Sequence, residues 1–168
     1  MKKKYGWTVY GIIGFIFTPI GLFFTILGPA LGLSDSIRWS GRKDPMVFVS
    51  VFGGVGGIFL ILGLVFLFID LRRRYLLRRA YDSGNCVDAK ILGVTEQTNV
   101  NMMNGHPRMV EAAWTDPDGV VHVYRSRYLY TNVEKLLTAE TVPVYIDRFN
   151  ENVGFVDVDT VLPEIRVH

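Results

Sequence analysis

Two uninterrupted apolar runs fill most of the first 70 residues, and a period-two alternation takes over after residue 85. Residues 7–33 and 46–69 contain no Asp, Glu, Lys, Arg or His. A helix needs about 20 mostly apolar residues to cross a hydrocarbon core. Both runs are long enough, so the pattern predicts a two-helix transmembrane hairpin. The second helix is expected to continue through Asp70–Tyr81 and stop at the turn Asp82-Ser83-Gly84-Asn85.

Beyond that turn, alternation marks half-buried strands. The first begins at Cys86, with Val87, Ala89, Ile91 and Leu92 facing one way, and runs on toward Asn99. Asn104-Gly105 signals a hairpin. Met109–Thr115 reads as a second strand. Asp116-Pro117-Asp118-Gly119 is a turn whose Pro presets φ and whose Gly takes a positive φ. Val120–Tyr128 alternates as a third strand, with Val121, Val123 and Arg125 opposite Val120, His122 and Tyr124. Asn132–Leu137 suits a helical turn. Val142–Ile146 and Val153–Val158, joined by residues 147–152, complete five strands. The predicted fold is an α+β membrane protein. Its transmembrane hairpin with basic extension occupies residues 1–82. A small, mostly antiparallel β-barrel or curled sheet, of OB- or SH3-like size, occupies residues 83–168.

Glycine punctuates the apolar runs. Gly14, Gly21 and Gly28 recur every seven residues and share one helix face. Gly53 and Gly57 form a G-x-x-x-G, as do Gly28 and Gly32. In lipid, small residues let helices approach closely. Gly14, Gly21, Gly28, Gly53 and Gly57 are therefore the candidate helix-packing residues, either within one chain or between copies. The absence of ionisable side chains inside the runs argues against transport by the hairpin alone.

Charge orients the hairpin. Lys2, Lys3 and Lys4 with Arg72, Arg73, Arg74, Arg78 and Arg79 flank the runs on one side, whereas the connecting loop carries only Arg38, Arg42 and Lys43. This bias favours both termini in the cytoplasm of a two-pass membrane protein, with the connecting loop outside. The five arginines after the second run are expected to contact lipid headgroups. Tyr5, Trp7 and Tyr10 suit one interface and Trp39 the other. The first run exceeds the signal-peptide core of about 7–15 residues, so a retained anchor is expected. Residues 80–168 hold seven Lys/Arg against thirteen Asp/Glu, a net of −6, so nucleic acid is not an expected partner.

Candidate chemistry is thin. The three histidines, His106, His122 and His168, form no metal-ligand spacing with one another. Cys86 is the single cysteine, which rules out an internal disulfide and a thiolate zinc site. Asp116 and Asp118 are accounted for by their turn, and Asp157 and Asp159 by a strand end. The expectation is no catalytic, cofactor-binding or metal residues, no cofactor, and no enzyme activity. The best surface candidate is Tyr124-Arg125-Ser126-Arg127-Tyr128-Leu129-Tyr130, which mixes rings with arginines. Tyr124, Arg125, Arg127, Tyr128 and Tyr130 are thus the candidate partner surface of a membrane-anchored binding or scaffold protein. Its expected partners are membrane lipid, a protein and a second copy of itself. The alternatives are a homo-oligomeric channel built on the glycine faces, and a small ligand sensor or hydrolase on the β domain.

The chain also resembles a bacterial family of small membrane proteins whose domain has no assigned function. The resemblance rests on the hairpin, Val87-Asp-Ala-Lys-Ile91, Asn104-Gly105-His106-Pro107, Trp114-Thr-Asp-Pro-Asp-Gly119, Ser126 and Val142-Pro-Val-Tyr-Ile-Asp147. It departs from that pattern at Glu151, where a proline is expected. The architecture is similar to that of NfeD-like membrane-anchored OB-fold proteins, which implies a partner or scaffold role in membrane assemblies.

Overall fold

The computed structural model describes residues 5–32, 45–98, 106–130 and 133–163. The expectations for Lys2–Lys4, the loop charges, Trp39, Asn104-Gly105 and His168 fall outside the described residues. Two long helices, α1 (Val9–Gly32) and α2 (Pro45–Asp82), precede five strands. The strands are β1 (Cys86–Glu96), β2 (Arg108–Thr115), β3 (Val121–Arg125), β4 (Thr141–Asp147) and β5 (Asn150–Val156). The chain divides into two compact units. One is Thr8–Leu71, and the other joins the residues before Thr8 to those from Arg72 onward. The division thus falls at Leu71, earlier than the turn at residues 82–85.

In the helical unit, both helices are long and apolar enough to cross a membrane. Pro19 and Pro29 lie inside α1 without ending it. The helices meet through glycine. A Cβ added at Gly14 would lie 2.7 Å from the Leu67 amide nitrogen, one at Gly21 2.3 Å from that of Leu60, and one at Gly28 3.0 Å from that of Gly53. These three glycines pack on α2 as their heptad spacing predicts. On α2 the glycines divide. A Cβ at Gly53 or Gly57 meets nothing within 4 Å, whereas Gly56 and Gly63 close on Thr25 and Thr18. The seven-residue step from Gly56 to Gly63 matches the α1 repeat, whereas the side-chain positions of Gly53 and Gly57 point away from α1, although the Gly53 amide itself lies against Gly28. Thr18 and Thr25 return their hydroxyl protons to the Gly14 and Gly21 carbonyls at 2.7 Å, so these polar groups are satisfied within the helix. At the first turn of α1, Thr8 acts as the N-cap, accepting from the Gly11 amide at 3.2 Å. Asp70, fully buried, accepts from both the Thr8 amide (3.1 Å) and its hydroxyl (2.5 Å). The residue that ends the apolar run is thus a clasp between the helices.

In the β unit, the strand order is β3-β2-β1-β4-β5, with every neighbouring pair antiparallel. β3 and β5, at the two ends of this order, also come into contact, so the sheet is nearly closed. β1 serves both halves because it is long and bulged. A register shift between Ile91 and Gly93 makes Leu92 the extra residue. Val87, Ala89 and Ile91 face inward as expected, while Leu92 is exposed and Val94 returns to the core. The core is filled by Ala89, Val110, Ala112, Tyr124, Val142, Val144, Ile146 and Val156, with Leu129, Val133 and Val158 closing its ends.

β3 is shorter than predicted. Ser126 is buried and turns the chain inward, donating its amide to the Val110 carbonyl and accepting the Val110 amide on its hydroxyl at 2.9 Å. β5 begins earlier than predicted, at Asn150, because Asp147 pairs directly with Asn150 across a two-residue tip, Arg148-Phe149. β5 ends at Val156, and Val158, predicted as its last residue, begins the 3-10 turn Val158–Thr160.

The last turns of α2 belong to this unit. Gly84, at φ 69°, ends the helix, and its amide donates to the Tyr81 carbonyl. Ser83 Oγ donates within range of the Ala80 and Ile146 carbonyls, at 2.6 and 2.9 Å. Tyr81 packs on Tyr145 and Phe155 at 4.6 and 5.6 Å between ring centroids, and Tyr5 packs on Phe155 at 5.2 Å.

Candidate functional site

The segment read as a partner surface is split by the pleat. Tyr124 points inward. It is only 4% exposed, and its hydroxyl donates to the Glu151 carbonyl at 2.7 Å. Its ring lies over Gly154, where an added Cβ would stand 2.5 Å from Tyr124 Cδ1. Tyr124 is therefore the bolt that draws β3 against β5, and burial pushes its phenol above the ordinary value. This corrects the expectation that Tyr124 is surface. Arg125 is exposed and pairs with Glu111 directly across the β2–β3 ladder at 2.9 Å. Arg127 is turned back onto Asp159. Tyr128 is half-buried and Tyr130 exposed. The outer face adds residues that the sequence reading did not single out. Val121 and Val123 alternate with inward His122 and Tyr124, and both are at least half exposed, as is Val120 in the preceding turn.

The arginines after the second apolar run also divide. Arg79 does not remain for headgroups: its guanidinium clasps the buried carboxylate of Asp147, Nε to Oδ2 at 2.8 Å. That hydrogen bond holds the Asp147 carboxyl below the usual carboxylate range, helped by the Phe149 amide. Arg74 stacks on the Trp7 ring at 3.9 Å. Arg78 makes an exposed i,i+4 pair with Asp82. Arg72 is exposed.

The strongest convergence of chemical groups lies where the β2–β3 turn meets β5. The turn forms as predicted. Gly119 takes φ 84°, its amide donates to the Asp116 carbonyl at 3.1 Å, and the Val120 amide donates to Asp116 Oδ1 at 2.8 Å. The ladder sets Trp114 opposite His122. Two residues beyond Trp114, Asp116 therefore presents Oδ2 to His122 Nε2 at 3.1 Å. The Val120 amide first, then the His122 ring and the Asp118 amide, hold the Asp116 carboxyl below its ordinary range. The His122 ring stands between Trp114 (5.8 Å) and Tyr124 (6.2 Å, stacked). Glu151 completes the group, since ligand-type atoms of Asp116, His122 and Glu151 all lie within 4.8 Å of one another. The sequence reading assigned Asp116 to its turn, correctly, but missed its second oxygen. The signal was present in the hairpin register, which sets Asp116 and His122 side by side. Glu151 required knowing that β5 closes on β3.

The remaining candidates stand apart from this group. His106 is exposed. Cys86 is exposed at the start of β1. Partial desolvation and the nearby Asp88 carboxylate hold its thiol above the ordinary value, which makes it a poor nucleophile at neutral pH. No protein-family model, curated protein or solved structure matches the chain.

Proposed function

We propose that this chain is a two-pass bacterial inner-membrane scaffold, with both termini cytoplasmic, whose β unit binds a protein partner in a membrane-associated assembly. The helical unit supports the membrane reading by its inverted packing. Glycines face the partner helix, while Phe15, Phe23, Ile26, Ile58, Ile61, Leu64 and Phe68 face outward. That arrangement suits a lipid solvent. The excess of Lys and Arg flanking the apolar runs supports the orientation. The strand order, with β3 brought against β5, favours an OB-like barrel over an SH3-like one.

The observation that carries the binding role is the outer face of β3. Val121 and Val123, with Val120 in the turn before them, are exposed apolar residues beside the Arg125–Glu111 pair. An apolar patch with a charged rim is the anatomy of a protein interface. A photo-crosslinking residue at Val123 should trap a partner in native membranes, while the same residue at Thr138 should not. Val123→Glu should abolish function without unfolding the domain. Equal labelling at both sites, or full function in Val123→Glu, would count against the reading.

Outward Gly53, Gly54 and Gly57 favour a second reading, self-association of the hairpin into a homo-oligomer or pore. Gly57→Leu would then change the species cross-linked in membranes and abolish any ion flux in liposomes.

A further inference from the structure

We propose that Asp116, His122 and Glu151 form a binding site for a divalent first-row transition metal, with zinc as its best probe. The site is built by three separate stretches of chain: the β2–β3 turn, β3 and the start of β5. The geometry approaches a metal shell. At about 2.0–2.1 Å per bond, ligand atoms around tetrahedral zinc stand about 3.3 Å apart. His122 Nε2 and Asp116 Oδ2 are 3.1 Å apart, and one ligand-type atom of each of Asp116, His122 and Glu151 lies within 4.8 Å of the other two. Glu151 is exposed and its backbone is pinned by Tyr124, so a rotation of its side chain closes the remaining gap.

Electrostatics points the same way. Two carboxylates lie beside one imidazole, Asp116 in hydrogen-bond contact with it and Glu151 a little farther off. A divalent ion held there would neutralise both carboxylates. The surroundings of the ligands resemble the support a metal site needs. Asp116 Oδ1 is held by the Val120 amide, which leaves Oδ2 aimed at the site. The His122 ring is fixed between Trp114 and Tyr124. One nitrogen with two carboxylate oxygens suits zinc, iron or manganese. It is too few oxygens for calcium, which takes about 6–8. This inference does not rest on the scaffold reading.

The test is calorimetric titration of ZnCl2 into the full chain, tag-free, EDTA-stripped and in detergent micelles, with MgCl2 as comparison. Saturable binding of one zinc per chain is expected, with no magnesium binding. Substituting CoCl2 should produce a visible absorption band. Glu151→Gln, at an exposed position that leaves the fold intact, should weaken zinc at least about tenfold, since even supporting residues of metal sites cost that much. His122→Gln should abolish both the heat and the cobalt band, whereas His106→Ala should bind as wild type. Absence of saturable zinc binding overturns the proposal. So does undiminished affinity in Glu151→Gln, whatever His122→Gln does, because the ion would then sit elsewhere.

Discussion

Replacing Gly154 with alanine tests whether the sheet is closed by one ring. An alanine Cβ there would stand 2.5, 2.7 and 3.0 Å from Tyr124 Cδ1, Cε1 and Cγ. Carbon atoms prefer about 3.5–4.0 Å, so the ring would have to retreat by about 1 Å along its face. It has no room to do so, because Tyr124 is 4% exposed and belongs to the core with Ala112 and Val156. Overpacking of this kind costs about 1–3 kcal/mol. Displacing the ring also breaks the Tyr124 hydroxyl bond to the Glu151 carbonyl, worth about 1 kcal/mol. Even the lower end of that sum lowers the unfolding midpoint of a domain this size by about 8 °C or more. The assay is a near-ultraviolet circular dichroism melt of the full chain in detergent. Gly93→Ala is the control, because a Cβ at Gly93 meets nothing within 4 Å. In a Tyr124→Ala background the added cost of Gly154→Ala should fall below about 1 kcal/mol, the mark of two residues coupled by contact. A melt for Gly154→Ala equal to that of Gly93→Ala, or a penalty undiminished without the ring, would refute the closure mechanism.

Two further predictions concern other contacts. In the hairpin, Gly21→Leu should separate the helices and Gly57→Leu should not, since only the first drives a side chain into the facing backbone. Oxidative cross-linking of Phe17→Cys with Phe59→Cys, in a Cys86→Ser background, reads this directly, because these rings sit 5.1 Å apart. In the β unit, Arg79 depresses the Asp147 carboxyl below its ordinary value near 3.8. A depressed folded-state pKa gives stability that is fully present above the unfolded value and is lost as pH falls through the folded value. The β unit should therefore weaken below pH 3.8, and Asp147→Asn should be less stable at neutral pH with a flatter acid limb in a pH-dependent melt.

Much of this architecture is legible in the sequence because its signals are local. Charge-free runs, the Asp-Pro-Asp-Gly turn and strict alternation in β2, β3 and β4 each depend on neighbours a few residues apart. The failures share a cause. Leu92 is read as inward because alternation has no way to announce a bulge. Tyr124 is read as surface because its row becomes interior only when β5 closes over it. Arg79 is read as a headgroup contact because Asp147, its partner, lies 68 residues away. The candidate site was half visible, since hairpin register places Asp116 beside His122. Glu151 reaches them through a contact between strands at opposite ends of the sheet order.

The β unit recruits the few residues that come before the first helix. Tyr5 rests on Phe155, Gly6 abuts Arg127, and Trp7 lies under Arg74. On a ribosome these residues are made before both helices, and so before Arg74, Arg127 and Phe155, and they wait while the hairpin is synthesised before they have anything to hold. A cut at residue 72, chosen to free a soluble domain for study, would discard them and leave Phe155 and Arg127 uncovered on that side. An expression boundary drawn from the order of the sequence would thus remove part of the domain it was meant to isolate.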